Sequence, residues 1–472
     1  MAVARGALGL LALGVVVGAA CGGAPARDPD PDSDPNDPGF LLGGIQINEP
    51  DMHAWHDQLR ASGFDTLAAT AYARQGAWDS AEIAFDEDEL GGGIVHEVRA
   101  AKQEGLHVVL VLRVALEHAL EGNRFFWHGA IQPESDQQVG QWFERYGRFV
   151  LAWARVAERE GIDVLGIGSE LSSLASTRPV DALPALEEYY LNEEKQARER
   201  ARLAVGLAAA GRARGDGAPE RALVGAQGET SDDLDHYLGE RTAAQAAWAR
   251  QVTGGGDVEW VNRRRALLDS HWRELIAAVR ETYSGRLTFA ANFDQYRAVG
   301  FWDALDVIGI NAYFPLRAEL HPGEEVETLY PVFVEAWQEI VTEIDGLRIA
   351  RGLDQGVLFT ELGYTARRGS TLEPWAGSGF GVVGGRVGPG EHPADARLVV
   401  WNEQPLEPME RALAVRALGE AARSVAPGML RGLLWWKLST QPQHREIESF
   451  VVVLGEEPED PVLAELRKLG ER

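Results

Sequence analysis

The stretch VLGIGSELSS, residues 164–173, decides how the chain is interpreted. Its first half is a short apolar run, typical of a strand that is buried on both faces, and the run ends at Glu170. A second stretch, VLFTELGY at residues 357–364, repeats this arrangement and places Glu361 just past another apolar run. Because parallel strands present their carboxyl ends at one edge of a sheet, the two carboxylates are expected to share one surface.

From Phe40 onward, short apolar runs alternate with amphipathic helical stretches. This alternation is typical of βα units around a parallel sheet, and eight units can be placed, which predicts an α/β fold of the (β/α)8 barrel type. The predicted strands are Leu42–Ile47, Thr66–Thr70, His107–Leu112, Val164–Gly168, Leu287–Ala291, Val307–Asn311, Val357–Thr360 and Gly432–Trp436. The clearest predicted helices are Gln137–Glu160, Ser270–Tyr283, Leu329–Ile349 and Pro408–Val425. The connection after strand five is short and shows little helical pattern.

Two connections are too long for a plain barrel. The first, residues 175–268, follows strand four and is predicted to be a helical insertion with breaks near Gly215–Gly217 and Gly254–Gly256. The second, residues 366–407, follows strand seven and is rich in glycine. Both leave the C-terminal ends of strands, where α/β barrels carry their active sites, so both are expected to overhang the site.

Paired glutamates at the ends of strands four and seven are an arrangement that can catalyse glycoside hydrolysis. Glycoside hydrolysis requires two carboxyl groups that flank the scissile bond, and a separation of about 5–5.5 Å permits double displacement through a covalent intermediate. Strand ends on opposite sides of a small barrel mouth can provide that spacing. The alternatives for Glu170 and Glu361 are solvated carboxylates at loop ends or a buried salt bridge.

Five segments in chain order resemble glycoside hydrolase family 113, a family of clan A whose known members are β-mannanases. They are GIGSELSS at 166–173, LTFAANFD at 287–294, FWDALDVIGINAYFPL at 301–316, VLFTELGYTA at 357–366 and GLLWWKLS at 432–439. The resemblance implies a retaining hydrolase of β-linked mannan-type polysaccharide or oligosaccharide that uses no cofactor and no metal ion. It also implies that Glu170 is the general acid/base and Glu361 the nucleophile.

Each implied role has a physical requirement. Glu170 must hold its proton near neutral pH, which calls for partial burial or for the negative charge of Glu361 nearby. Glu361 must stay ionised, and a hydroxyl donor such as Tyr313 would favour its charged form. Alternatively, Tyr313 only caps a layer of the barrel.

Further residues at the strand ends are candidates for binding sugar. Asn292 and Asn311, at the ends of strands five and six, are expected to bind sugar hydroxyls, or else to tie off loops. Trp436, at the end of strand eight, is expected to form the floor beneath the sugar unless it packs in the core. Trp435 should face the helices, because neighbours in a strand point to opposite sides. The remaining candidates are Lys437 and Tyr364.

Three segments depart from the family pattern. Residues 110–120 read LVLRVALEHAL where the family usually shows a segment containing Pro and His, so Arg113 and Glu117 stand there instead. Residues 43–50 lack the usual aromatic start, and the long insertion is absent from compact members. These departures affect the substrate more than the chemistry. Two alternatives therefore stay open, a non-catalytic carbohydrate-binding lipoprotein on the same barrel and a hydrolase of another β-glycan.

The composition restricts the partners. A formal net charge of −27, spread along the chain, disfavours nucleic acid and anionic lipid headgroups, whereas a neutral polysaccharide is not repelled. The 14 Trp and 10 Tyr can offer flat faces to sugar rings, although most are expected to pack in the core. His53 and His56 lack a third ligand, so no metal site is predicted. The oligomeric state cannot be read from the sequence.

The first residues are typical of an export signal. Arg5 precedes an apolar run that is too short to span a bilayer, so residues 1–20 are predicted to be a signal peptide. Cys21, the only cysteine, stands at a site that resembles a lipoprotein cleavage site, and lipidation there would anchor the protein to the membrane. A plain secretory signal is the alternative. Residues 21–39 are an Asp/Pro-rich tether, residues 40–472 form the catalytic barrel, and the protein is expected on the periplasmic side, at the outer membrane, or secreted.

Overall fold

The computed structural model describes residues 39–214, 234–321, 323–384 and 397–471. The predicted signal peptide, Cys21, nearly all of the tether and the predicted break at Gly215–Gly217 lie outside these residues. Within the described ranges, no helix combines the length and the apolar character that are needed to cross a bilayer.

Eight parallel strands close into a barrel, which confirms the predicted (β/α)8 fold. The strands are β1 (Leu41–Gln46), β2 (Thr66–Gln75), β3 (His107–Leu116), β4 (Val164–Ser169), β5 (Arg286–Asn292), β6 (Ile308–Asn311), β7 (Val357–Leu362) and β8 (Leu430–Ser439). Each strand pairs with its neighbours along the chain, and β1 pairs with both β2 and β8, which closes the ring. Two short strands extend this sheet, Ile83–Ala84 beside β2 and Val452–Val453 beside β8.

Alternation along the strands separates an inner core from an outer one. Side chains that point inward form a small apolar cluster inside the barrel, which includes Ile45, Val109, Val111 and Leu358. Side chains that point outward join a larger cluster between the sheet and the surrounding helices. Each predicted strand lies within two residues of an observed one at its start, because runs buried on both faces are easily recognised.

The helices that the structure describes are α1 (Met52–Ala61), α2 (Gly93–Gln103), α3 (Asp136–Glu160), α4 (Ser172–Ala175), α5 (Ala185–Leu191), α6 (Glu193–Arg214), α7 (Leu234–Val252), α8 (Val258–Arg280), α9 (Tyr330–Ala350), α10 (Pro408–Ser424) and α11 (Pro461–Gly470). Helix α3 begins with a capping box between Ser135 and Gln138 and ends at Gly161 in the left-handed conformation. Between β5 and β6 the described chain forms a single 3-10 turn, Trp302–Ala304.

The helix that returns to the barrel begins before the predicted end of the first insertion near Leu268. Helix α8 begins ten residues earlier, at Val258, because the side chain of Asp257 accepts hydrogen bonds from the backbone amides of Glu259 and Trp260. The predicted break at Gly254–Gly256 is present, and all three glycines have positive φ. The returning helix therefore includes residues that the sequence pattern assigned to the insertion.

The two long connections pack against one another. The second forms an antiparallel pair of strands, Phe380–Val383 and Arg397–Val400. Arg202 of α6 donates hydrogen bonds from Nη1 to the carbonyls of Val382 and Gly384, both at 2.9 Å. A small apolar cluster lies at the same contact and includes Leu203, Tyr237, Leu238 and Val400.

Gly43 of β1 provides a test of the barrel packing. A Cβ at this position would lie 2.3 Å from the backbone oxygen of Thr66 in β2, so Gly43→Ala forces two paired strands apart. We expect a loss of about 1–3 kcal/mol in the free energy of unfolding, measured by urea denaturation. The control is Gly346→Ala, at an exposed position of helix α9 where an added Cβ meets no atom within 4 Å, and here we expect a gain of about 0.5–1 kcal/mol. Equal effects at both sites would contradict this account.

Candidate active site

Glu170 follows directly after β4 in an uncommon backbone conformation. Its φ is 50°, in the left-handed region that side chains other than glycine seldom adopt. The backbone amide of Glu170 donates to the carbonyl of Ala290 in β5 at 2.8 Å, and its own carbonyl accepts from Ser172 at 2.8 Å. These bonds hold the turn at the mouth of the barrel. Conformational strain of this kind is concentrated at functional sites.

Asn311, the last residue of β6, brings the two glutamates together. Its Nδ2 donates to Glu170 Oε1 at 2.9 Å and to Glu361 Oε1 at 3.1 Å. Thr360 Oγ1 donates to Asn311 Oδ1 at 2.8 Å, which fixes the amide with its nitrogen toward both carboxylates. Since both oxygens contact the same nitrogen, they can be no more than 6.0 Å apart.

Glu361, within β7, is buried and is held by two further groups. The hydroxyl of Tyr313 donates to Glu361 Oε2 at 2.7 Å. Burial raises the pKa of Tyr313 well above its usual value, and the charge of Glu170 adds to this, so the phenol keeps its proton. Arg113 of β3 forms an ion pair with Glu361 Oε1 and is itself buried. The carboxylate therefore has a counter-charge and two neutral donors.

Glu170 lies beside a histidine from the loop after β3. His128 Nε2 is 3.2 Å from Glu170 Oε2, a close contact that lacks hydrogen-bond geometry. Burial raises the pKa of Glu170, but the contact with His128, the charge of Arg113 and the amide of Asn311 outweigh it and lower that pKa below its ordinary value. In the free protein these groups favour the ionised form of Glu170, which is opposite to the expectation that it holds its proton near neutral pH.

The ring of Trp436 lies next to both Arg113 and Lys437. The guanidinium carbon of Arg113 is 5.1 Å from the centre of the Trp436 ring, and Lys437 Nζ is 3.7 Å from it. Trp436 is half-buried above the inner cluster of the barrel, whereas Trp435 is fully buried among the outer residues, as strand alternation predicts. Burial lowers the pKa of Lys437 to about 8, and the charge of Arg113 contributes to this shift.

Two predicted residues do not join this cluster. Tyr364 is fully buried in the core between sheet and helices, and its carbonyl accepts a bond from Arg411 of α10. The prediction that Tyr364 binds substrate is therefore wrong, because the chain after β7 turns this ring away from the mouth. Asn292 Oδ1 accepts a hydrogen bond from the backbone amide of Phe293 at 3.0 Å. This contact fits the alternative in which Asn292 ties off a loop. Glu117 is exposed and bonds the amide of Ala119.

Sequence reasoning missed two members of the cluster. Arg113 was recognised only as a departure from the family, although its position carried a usable signal. It follows Val109 and Val111 at a period of two, and both valines point into the barrel, so Arg113 had to point inward as well. His128 begins a single 3-10 turn, His128–Ala130, in the connection after β3, where no periodicity places a side chain, and nothing in the sequence indicated its contact with Glu170.

A buried and a half-buried carboxylate at the mouth of a (β/α)8 barrel, bridged by one amide, fit a glycoside hydrolase, which is the class that the family match below supports. The profile of glycoside hydrolase family 113 matches residues 46–179 and 253–382, more than half of the chain. The chain belongs to this family. The gap in the match, residues 180–252, corresponds to α5, α6 and α7.

Solved structures agree with the fold. The chain is similar to a family 113 β-1,4-mannanase with 17% sequence identity and a TM-score of 0.52, over 92% of this chain and 100% of the other. It is also similar to the family 113 β-mannanase of Alicyclobacillus acidocaldarius, at 17% identity, a TM-score of 0.53 and the same coverage of both chains. No curated protein sequence matches the chain.

The contact with His128 gives a direct test of the electrostatics. Replacing His128 by Gln removes a group that favours the carboxylate of Glu170, so the pKa of Glu170 should rise. Titration of the side-chain carboxyl carbons by NMR measures this pKa. The control is His321→Gln, whose imidazole is exposed beside Glu319. An unchanged or lower pKa in the His128 variant would show that other groups set it.

Proposed function

We propose that the protein is a retaining glycoside hydrolase that cleaves β-linked mannan-type polysaccharide or oligosaccharide by double displacement. The observation that carries the mechanism is the contact of Asn311 with both glutamates. It holds the two Oε1 atoms no more than 6.0 Å apart, which favours the short carboxyl separation of about 5–5.5 Å in retaining enzymes over the about 6.5–9.5 Å in inverting ones. The substrate rests on membership of family 113 and on similar structures that are described as β-mannanases.

In the first step, Glu361 attacks the anomeric carbon while Glu170 gives its proton to the departing oxygen. The bond to the leaving sugar breaks as the bond to Glu361 forms. Asn311 and Arg113 contact Oε1 of Glu361, and Tyr313 donates to Oε2. These contacts keep the nucleophile ionised and fixed in position. In the second step, Glu170 takes a proton from water while the water oxygen bonds to the anomeric carbon. The bond between that carbon and Glu361 breaks, which regenerates the carboxylate.

The lowered pKa of Glu170 has a consequence for the working pH. The first step needs the protonated form of Glu170, so kcat/KM falls as the pH rises through this pKa. A pKa below the ordinary value therefore places the working range on the acid side of neutrality. Substrate that displaces water from the cleft would raise the pKa, because burial already acts in that direction.

Replacement of the two glutamates tests their roles separately. Glu361→Ala should lower the hydrolysis of β-mannan by about 10⁴-fold or more, since the nucleophile is lost. With an activated aryl β-mannoside, added azide should restore turnover and give the α-mannosyl azide. Glu170→Ala should keep the first step on the activated substrate, and azide should then give the β-mannosyl azide. The product configuration is read by NMR.

The matched control is Glu117→Ala, an exposed carboxylate near the end of β3 that contacts neither glutamate. Its activity should match the unaltered protein. Full activity of Glu361→Ala would refute the assignment of the nucleophile. Faster hydrolysis of xylan or β-glucan than of mannan by the unaltered protein would contradict the proposed substrate while leaving the mechanism intact.

We also propose that the protein is exported and anchored by a lipid on Cys21. The support is the charged start, the short apolar run and the only cysteine of the chain at its end. A lipid-anchored protein partitions with the membrane, so Cys21→Ser should release the protein into the soluble fraction and abolish labelling by radioactive palmitate. Membrane association that survives this substitution would point to another attachment.

A further inference from the structure

A cavity of about 260 Å³ opens beside Glu170, between the barrel mouth and the first insertion. We call it the insertion pocket. On the barrel side it is lined by residues that directly follow Glu170 and β5, among them Ser172 and Asp294. On the other side it is lined by Glu187 and Tyr190 of α5 and by Trp248 of α7. The last three lie within the stretch 180–252 that the family profile does not match, so one wall of the pocket comes from outside the matched part of the chain.

The walls combine flat rings with unpaired acceptors. Trp127 is 40% exposed at the rim, and Tyr190 packs edge-on against Trp248 at 5.9 Å between ring centres. In the described part of the chain, neither Glu187 nor Asp294 forms a salt bridge or a side-chain hydrogen bond with another residue. Carboxylates accept hydrogen bonds from pairs of sugar hydroxyls, and aromatic faces pack against the C–H face of a pyranose ring.

The two carboxylates are held near one another without a full counter-charge. Burial raises the pKa of Glu187, the charge of Arg265 opposes this, and the charge of Asp294 adds to it. Asp294 is exposed at the opening of the pocket, and its pKa is raised, first by partial desolvation and then by the charge of Glu170. Unpaired acids with shifted pKa values in a cavity are typical of ligand sites. Ser172 and Ser173, which follow Glu170 in the chain, line the same pocket, so it adjoins the cleavage point.

The framework around the pocket is rigid. Trp248 Nε1 donates to the carbonyl of Ala130 at 2.9 Å, and Gln251 donates to the carbonyl of Gln132 at 2.9 Å. Both bonds join α7 to the loop after β3, the same loop that places His128 against Glu170. The insertion is therefore fixed to the machinery of the barrel and can position a ligand relative to it.

We propose that the insertion pocket binds one pyranose ring of a neutral β-linked glycan on the leaving-group side of the scissile bond. The assignment of the pocket to the leaving-group side rests on the function proposed above, in which Glu170 protonates the leaving oxygen. The pocket is lined by neighbours of Glu170 and by none of Glu361, Tyr313 or Trp436. We therefore place in this pocket the part of the glycan that leaves past Glu170, while the other part becomes attached to Glu361.

The test is the position of cleavage in mannohexaose labelled with ¹⁸O at its reducing end, read by mass spectrometry. Loss of a leaving-side subsite weakens binding of sugars toward the reducing end, so Glu187→Ala should move cleavage toward that end. It should also lower kcat/KM for mannohexaose about tenfold, as expected for a hydrogen bond to a charged group. Glu187→Gln, which keeps the side-chain volume, should show a smaller shift in the same direction.

The matched control is Glu188→Ala, the next residue of the same helix, whose carboxylate pairs with Lys195 and does not line the pocket. Its cleavage pattern should equal that of the unaltered protein. An unchanged pattern in the Glu187 variants, or a shift toward the non-reducing end, would overturn the proposal. Thermal denaturation of each variant separates a lost contact from a lost fold.

Calorimetry separates the pocket from the proposed function. Mannohexaose is titrated into Glu361→Gln and into the same protein with Glu187→Ala added. If the unaltered protein cleaves no mannohexaose but affinity still falls when Glu187 is removed, the hydrolase assignment fails and the pocket stands. If affinity is absent, or is the same with and without Glu187, the pocket fails whatever the outcome for cleavage.

Discussion

Two carboxylates confined to one small, largely buried site repel each other, and the other groups of the site offset that repulsion. In a medium of low dielectric, two like charges within 6 Å would drive one of them to take up a proton. Arg113 supplies the missing positive charge from β3, and Asn311 supplies a dipole to both acids at once. The burial of an arginine inside the barrel, costly by itself, is therefore explained by its partner.

This balance also separates the two acids by environment. Glu361 receives a cation, a phenol that keeps its proton and an amide, all of which favour its ionised form. Glu170 is only half-buried, and its contacts are the amide of Asn311 and the imidazole of His128. The acid that must stay ionised thus has a cation beside it, whereas the acid that must exchange a proton is more open to solvent.

The fold was predictable because it depends on repeated local patterns. Apolar runs buried on both faces marked every barrel strand, and the ends of β4 and β7 placed Glu170 and Glu361 correctly. The start of α8 was misjudged because capping by Asp257 outweighed the apparent end of the insertion. Tyr364 was misjudged because no strand periodicity continues beyond β7. His128 and the insertion pocket depend on contacts between distant segments, which local patterns do not encode.

The two long connections, after β4 and after β7, pack together as one unit. Arg202 binds carbonyls of the second connection, and apolar residues from both share one small core. Neither segment can be shortened alone without exposing the apolar face of the other to water. Related chains that gain or lose helices α5, α6 and α7 should therefore show a coordinated change in the loop that follows β7, so that the two lengths vary together in evolution.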